Sequence, residues 1–276
     1  HRLDLPEGAP ALPVESYWFD RLEVTNRRFK DFVDAGGYAI AKYWSHPPES
    51  FRDSTGRPGP STWSLGSYPD GTADHPVGGV SWYEAEAYCR WKGRSLPTIY
   101  HWFSAVGQRQ LSDILRLSNF SGEGPAPAGK YQGLAGFGAL DMAGNVREWC
   151  ANATSSDDRY ILGGAWNDAP YMFRHIGARP PEDRIPENGF RCASYSSQLP
   201  PILTAPIDPR HEVPKPEPVS EEIFEAYKGM YVYNRSSDLD AQVESVDDSS
   251  PHWRKEIVSI KTAYGDERMN VLLFLP

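Results

Sequence analysis

Residues that interrupt regular secondary structure recur along almost the whole chain. Of its 276 residues, 24 are glycine and 25 are proline, and proline in particular is excluded from helix interiors and central strands. The stretch 56–60, Gly-Arg-Pro-Gly-Pro, is typical. Nine tryptophans, 15 tyrosines and a hydrophobic content of 39% still supply enough apolar side chains for a core. These features predict an irregular, loop-rich globule rather than a helical bundle.

Three short helices are predicted in the first half of the chain, because each has a residue that favours an N-cap and a closing glycine. Their start and stop signals are Thr25 or Asn26 with Gly36, Ser81 with Gly93, and Thr98 with Gly107. Ser81 is followed three residues later by Glu84, which forms the pattern of a capping box. Strands are predicted at 160–166 and 189–195, where β-branched and aromatic residues lie beside glycines.

The composition changes after residue 195. Seven prolines between 200 and 218 predict a semi-extended linker or a strap along the surface. A helix is predicted after Ser220, followed by a small antiparallel β-meander with strands at 241–246, 256–262 and 269–275 and turns at 247–250 and 264–266. The predicted divisions are therefore a domain at 1–197, a linker at 198–219 and a second folded segment at 220–276.

Charge and cysteine content narrow the possible functions. The net charge of −9 argues against a nucleic-acid partner, which requires a basic face, and no apolar run is long enough for a membrane span. The odd number of cysteines allows one bridge at most, and we favour three buried or isolated thiols at Cys89, Cys150 and Cys192. Because the chain begins at His1, we expect a fragment or a processed product.

Several segments in this order resemble the formylglycine-generating-enzyme, or sulfatase-modifying-factor, family. They are Glu23-Val24-Thr25-Asn26 with Phe29; His75 to Trp82; Ala87-Tyr88-Cys89 with Trp91; Leu96-Pro97-Thr98 with Trp102; Asp141 to Trp149; Gly163 to Trp166; and Gly189 to Cys192. The resemblance covers roughly the first 195 residues. It implies a C-type-lectin-like α+β fold with little regular secondary structure.

The C-terminal segment is similar to the first strands of dienelactone-hydrolase-like α/β hydrolases. The similarity rests on 244–248, Tyr264-Gly265 and the closing strand. Bacterial multidomain proteins join a serine/threonine kinase, a formylglycine-generating-like domain and such a hydrolase, so we expect covalently joined flanking domains and favour the bacterial cytoplasm. The chain itself has no kinase signature and no G-x-S-x-G motif, so neither activity is expected here.

The copper chemistry of the family is not expected in this chain. The family's oxidase binds copper(I), a soft ion, through two cysteine thiolates that follow a Gly-Gly-Ser strand. Alignment on Gly163-Gly164 puts those positions at Asp168 and Phe173, neither of which supplies a thiolate. The family's serine and histidine fall at Ala165 and Ala169, and a tryptophan beside its oxygen pocket falls at Arg147.

The resemblance implies a calcium site at 141–148. Its ligands are carboxylate oxygens of Asp141 and Glu148 and backbone carbonyls of Gly144 and Val146, and hard oxygen donors suit calcium. The alternative is a turn in which Glu148 accepts hydrogen bonds from backbone amides and no ion binds. The family's second calcium site, at Asn119 and Phe120, is not expected because its partner loop is shortened between Ser121 and Lys130.

A recognition site is predicted at the cleft where the family carries its active site. The residues there combine flat apolar rings with directional polar groups, a mixture that suits binding. They are Trp166, Asn167, Asp168, Tyr171, Arg174, His175 and Arg179. Alternatively, Trp166 belongs to the core, and Arg174 and Arg179 pair with Asp or Glu. Asp168 and His175 are residue types that can act in general acid–base catalysis, but the sequence offers no obvious nucleophile for them to activate.

Three functions follow as hypotheses. The leading one is a non-oxidase domain that recognises an unknown protein or small molecule within a larger bacterial protein. The second is a metal-dependent enzyme of the same superfamily with a different site, although the set His101, His175 and His211 lacks ligand spacing. The third is a structural spacer between kinase and hydrolase domains, with its cleft filled by the chain's own side chains.

Overall fold

A computed structural model describes residues 5, 9–107, 111–207, 218–230, 238–262 and 267–276, apart from the side chains of 111–113. The chain divides into two compact units, residues 1–212 and 213–276. Both combine helices and strands, which confirms the α+β class. The likeness to C-type lectins and the predicted domain boundaries stay predictions. No helix in the described part of the chain is long and apolar enough to cross a membrane.

The described part of the first unit has five α-helices, of which the first three begin where the sequence signals predict and the last two were not predicted. They are α1 (Asn26–Asp34), α2 (Trp82–Trp91), α3 (Ile99–Val106), α4 (Leu111–Arg116) and α5 (Pro201–Thr204). Thr25, Ser81 and Thr98 are N-caps whose side chains accept a backbone N–H. The capping box of Ser81 and Glu84 is complete. These local hydrogen bonds satisfy N–H groups that a helix start otherwise leaves unpaired.

Two small sheets complete the first unit. The strands are β1 (Tyr17–Phe19), β2 (Arg147–Ala153), β3 (Arg159–Leu162), β4 (Gly177–Arg179), β5 (Asn188–Gly189) and β6 (Ala193–Tyr195). The larger sheet has the order β4-β3-β2-β5, in which only β2 and β5 are parallel, and β1 pairs antiparallel with β6. The strand predicted at 160–166 ends at Leu162, since positive φ angles at Gly163 and Gly164 turn the chain away. The strand predicted at 189–195 is divided between β5 and β6, and β2 was not predicted.

A disulfide bond ties α2 to the start of β6. Cys89 and Cys192 are bonded, with their Cα atoms 5.8 Å apart, and both are buried in an aromatic core that includes Phe29, Tyr88 and Phe190. The expectation of three separate thiols is therefore wrong, because the fold brings together two cysteines that lie 103 residues apart. Only Cys150 is a free, buried thiol.

Part of the predicted proline-rich linker packs against the first unit. Leu203 and Ile207 are buried in its second core cluster, which also contains Trp102 and Tyr160. The Ile207 amide donates to the Ala153 carbonyl at 2.9 Å. Residues up to 207 thus lie against β2 and β3 as a strap, whereas 208–217 fall outside the described residues.

The second unit is the predicted helix and meander. It contains α6 (Glu221–Gly229), which is capped by Ser220, and the strands β7 (Gln242–Asp247), β8 (Arg254–Lys261) and β9 (Arg268–Leu275). The strands form an antiparallel sheet in chain order, which confirms the β-meander. The turn predicted at 264–266 lies outside the described residues, and the similarity to a hydrolase stays a prediction.

Candidate functional site

The candidate site is built by the loop that leaves β3. Gly163 and Gly164 have φ angles of 98° and 71°, a region that side-chain-bearing residues rarely adopt. A Cβ atom on Gly164 would also lie 3.1 Å from the Phe120 ring. The loop is closed by the Ala165 amide, which donates to Asp168 Oδ2 at 2.8 Å, and by the Asp168 amide, which donates to the Ala165 carbonyl. Asp168 is thereby held facing β2.

Asp168 forms a two-point ion pair with Arg147, the first residue of β2. Arg147 Nη2 lies 2.7 Å from Oδ1, and Arg147 Nε lies 3.1 Å from Oδ2. The two side chains are only 15% and 13% exposed. The position that the family resemblance gives to a copper-binding cysteine therefore carries a carboxylate neutralised by a guanidinium. Both residues were singled out in the sequence, but their pairing was not foreseen.

Phe173, the second position to which the resemblance assigns a copper-binding cysteine, is part of the hydrophobic core. Phe173 is 2% exposed, and its ring centroid lies 6.1 Å from that of Trp102. An aromatic ring packed in this way contributes apolar burial and offers no ligand to a metal.

A cavity of about 420 Å³ opens beside the ion pair. Its wall combines apolar side chains, among them Ile161, Met172 and Ile176, with polar groups from Arg147, Asp168, His175 and Arg179. Three of the seven predicted recognition residues, Asp168, His175 and Arg179, therefore line one cavity.

The other four predicted residues lie outside the lining of this cavity. Asn167 donates to Glu187 Oε1 at 2.7 Å, and Tyr171 is 73% exposed. Arg174 is also exposed, and Trp166 is partly buried. The Nε1 of Trp166 is buried and has no hydrogen-bond partner among the described residues.

The predicted calcium loop is held by hydrogen bonds that already use its carboxylates. Glu148 is buried and accepts from Arg191 through both oxygens, with Nη2 to Oε1 at 2.5 Å and Nε to Oε2 at 2.8 Å. Trp102 Nε1 also donates to Glu148 Oε2, at 2.8 Å. Asp141 Oδ2 accepts the Gly129 amide at 2.5 Å. A calcium ion at this loop would have to share the Glu148 carboxylate with Arg191.

The same loop belongs to a buried cluster with more carboxylates than cations. Glu23 accepts from the Asn145 side chain at 2.7 Å and from the Val146 amide at 3.2 Å. Burial, reinforced by the charges of Asp141 and Glu148, raises the pKa of Glu23, and burial also raises the pKa of Asp141. The excess negative charge suits a cation or a bound proton.

Calcium therefore stays a prediction. Within the described residues, no group of three or more His, Cys, Asp and Glu side chains could hold a metal ion. The predicted site instead relies on two carboxylates and backbone carbonyls. Sequence reasoning missed the participation of Glu23 and Arg191, although both stand in the motifs that carry the family resemblance.

The first unit is a domain of the sulfatase-modifying-factor type, as the match of its sequence to a family model shows. Residues 7–195 match the family model described as "Sulfatase-modifying factor enzyme 1-like domain", and the chain belongs to this family.

Three relatives illustrate how varied that family is. Hercynine oxygenase from Mycolicibacterium smegmatis is 30% identical over 223 residues, which cover 63% of this chain and 51% of the relative. Serine/threonine-protein kinase pkn1 from Chlamydia caviae is 34% identical over 209 residues, covering 65% and 33%. Inactive C-alpha-formylglycine-generating enzyme 2 from Mus musculus is 27% identical over 253 residues, covering 71% and 82%. The chain thus spans about half the length of the hercynine oxygenase.

Proposed function

We propose that this chain is a recognition domain without formylglycine-generating oxidase activity. Its ligand is a small molecule or a protein segment that binds in the cavity beside Asp168. The observation that carries the proposal is the Arg147–Asp168 ion pair, which stands where the family resemblance places a copper-binding thiolate. A paired carboxylate can hold a guanidinium and a loop in place, but it does not provide the soft ligand that copper(I) prefers.

The form of the cavity supports binding. A volume of about 420 Å³ lies within the range of about 300–1,000 Å³ that is usual for small-molecule sites, which combine an apolar lining with a few placed polar groups. Arg147 is fixed at Nε and Nη2 by Asp168, so its remaining N–H groups, two on Nη1 and one on Nη2, are oriented before a ligand arrives. His175 and Arg179 add further polar groups.

A relative supports the loss of oxidase activity. The mouse protein is named an inactive formylglycine-generating enzyme, and it matches 71% of this chain. The family scaffold therefore occurs in a protein that is described as inactive.

A metal-dependent enzyme is the second candidate, and one observation favours it. The chain matches a hercynine oxygenase at 30% identity, and the cavity contains one carboxylate and one imidazole, Asp168 and His175. Both oxygens of Asp168 already accept hydrogen bonds, so a metal would have to compete with Arg147.

The spacer alternative has less support. It requires the chain's own side chains to fill the cleft, with the proline-rich strap as the proposed filler. The described part of the strap, up to residue 207, packs against β2 and β3, and none of its residues lines the cavity.

The test measures binding and turnover on the same folded protein. Hercynine, which appears in a relative's name, and a cysteine-containing peptide, which tests the thiol oxidation that the family resemblance implies, are titrated by calorimetry, and oxygen uptake is followed with added copper(I) or iron(II). We expect saturable binding of one probe, no oxygen uptake, and at least tenfold weaker binding in Asp168→Asn than in Arg27→Gln. Uptake with stoichiometric metal would establish the enzyme alternative, and binding of neither probe would favour the spacer.

A further inference from the structure

A second, larger cavity lies on another face of the first unit. It has a volume of about 840 Å³ and runs between one side of α2 and the segment 194–204. We call it the α2 groove and define it by Tyr83, Glu86, Arg90, Arg94, Arg159 and Tyr195. It shares no lining residue with the cavity beside Asp168.

Two of the three arginines in the groove have carboxylate partners. Arg90 is paired with Glu86 of the same helix at 2.8 Å, and Arg94 is paired with Asp20. Arg159 differs, because no carboxylate of the described residues lies within ion-pair distance of it. The groove therefore has one guanidinium that no carboxylate of the described residues contacts directly, and the charge of Glu86 in the same groove acts on it from a longer distance.

Arg159 is held in a defined orientation. Its guanidinium carbon lies 3.9 Å from the centroid of the Trp82 ring, and Nη1 donates to the Ala151 carbonyl at 3.1 Å. Stacking occupies the face of the guanidinium and leaves N–H groups in its plane for further bonds. Little ordering of this side chain would be needed when a ligand binds.

One donor of Arg159 has no partner. Its Nε is buried and makes no hydrogen bond among the described residues. A buried polar group of this kind is unfavourable for folding and usually indicates an unseen water, an ion or a functional requirement. An oxygen atom of a ligand, or a water molecule held by a ligand, would accept the hydrogen bond that this Nε can donate.

From these observations we propose that the α2 groove binds a ligand bearing an oxyanion, either a carboxylate or a phosphate, with Arg159 as its main contact. Planar guanidinium groups pair with both oxyanions through parallel hydrogen bonds. Arg90 and Arg94, each already paired with a carboxylate, add less positive potential than Arg159. Hydroxyl groups of Ser95, Ser194 and Ser197 line the same groove as neutral donors. On a chain of net charge −9, such a groove is a local site of attraction for anions.

The test uses three probes that separate the possible sources of the oxyanion: inorganic phosphate, O-phosphoserine and citrate. Each is titrated at low ionic strength into the full chain by calorimetry. We expect saturable binding of at least one probe, which added salt weakens. Preference for citrate identifies a carboxylate ligand, and preference for the other two identifies a phosphate.

Matched variants assign the binding to the groove. We expect Arg159→Gln to weaken binding at least tenfold and Arg159→Lys to weaken it less. Arg27→Gln, in an exposed ion pair with Asp74, serves as the charge-matched control and should bind like the wild type. If Arg159→Gln fails to fold, Arg94→Gln provides the test, because Arg94 is 43% exposed and its replacement should leave the fold intact. We expect Arg94→Gln to bind the probe about threefold more weakly than the wild type. No saturable binding, or equal weakening in Arg27→Gln, overturns the proposal.

Discussion

Arg147 and Asp168 form a two-point ion pair, with N–O distances of 2.7 and 3.1 Å, between the start of β2 and the loop after β3. The same aspartate accepts the Ala165 amide. Asp168 therefore fixes both the guanidinium of Arg147 and its own loop, so the ion pair is part of the wall of the cavity.

Breaking this pair should reveal strong coupling. In the single variants Arg147→Gln and Asp168→Asn, one largely buried partner is left unpaired, at a cost of about 1–3 kcal/mol. We expect a double-mutant cycle to give a coupling free energy of about 1–3 kcal/mol. The measurement is chemical denaturation of the wild type, both single variants and the double variant.

The pair Arg27–Asp74 is the control for that cycle. Its side chains are 61% and 68% exposed, and exposed pairs contribute only about 0–1 kcal/mol. Equal coupling energies in the two cycles would contradict the expectation that burial strengthens the Arg147–Asp168 pair.

Elements with local signals could be predicted from the sequence. The helix starts at Thr25, Ser81 and Thr98 depend on hydrogen bonds between residues three apart, so the responsible residues lie side by side in the chain. The meander of the second unit was predicted for the same reason, because alternation and turn residues are local patterns.

Contacts between distant residues could not be predicted in this way. Arg147 lies 21 residues from Asp168, and Glu148 lies 43 residues from Arg191. Neither periodicity nor composition indicates which charged side chains form ion pairs. Arg147 was therefore interpreted only as the position at which the family has a tryptophan. The count of three cysteines likewise could not show that Cys89 meets Cys192. The family resemblance predicted a recognition cleft, which stays a prediction, and only the packing showed that Asp168, His175 and Arg179 line one cavity.

The disulfide should be a main source of stability for the first unit. In the chain-entropy model, closing a loop of about 100 residues is worth about 3–5 kcal/mol, and Cys89 and Cys192 are separated by 103. We expect reduction, or the variant Cys89→Ala/Cys192→Ala, to lower the free energy of unfolding by about that amount.

The free thiol allows this effect to be isolated. Cys150→Ala removes the remaining cysteine, and reductant should destabilise this variant as much as it destabilises the wild type. Denaturation midpoints with and without dithiothreitol give the comparison, and alkylation verifies that the bridge has opened. An unchanged midpoint in fully reduced protein would show that the bridge contributes no stability.

Burial of His101 should make the fold sensitive to acid. Its ring lies 4.7 Å from the rings of both Tyr17 and Tyr195, and burial lowers the pKa of His101 to about 4 from the usual 6.5. Between these values the unfolded chain binds the proton more strongly, so stability falls as the pH decreases from 6.5 towards 4. The loss attributable to this group is about 3 kcal/mol at most.

His101→Phe tests that linkage. Phenylalanine keeps a ring in the same environment but cannot take up the proton, and it loses the 2.6 Å contact between Nδ1 and Thr98 Oγ1. We expect the variant to be less stable at neutral pH but to show a shallower decline below pH 6.5. Parallel stability curves for the two proteins would contradict this expectation.

Calcium binding at the loop from Asp141 to Glu148 is expected to relieve the excess of buried negative charge. One guanidinium, that of Arg191, faces the carboxylates of Glu23, Asp141 and Glu148. If calcium binds the native state only, a hundredfold excess over Kd stabilises it by about 2.7 kcal/mol. We expect calcium to raise Tm, EGTA to reverse the increase, and magnesium, which requires a stricter octahedral geometry, to have a smaller effect.

Asp141→Asn is the variant that decides between calcium and the ion-free turn. It removes one of the two ligand charges, so the calcium-dependent increase in Tm should be largely lost, whereas the exposed Asp74→Asn should retain it. If calcium left the Tm of the wild type unchanged, Arg191 and a bound proton would suffice to balance the cluster. Glu148 would then serve as the partner of Arg191 and Trp102 alone, and the family's calcium motif would persist here as a hydrogen-bonded turn.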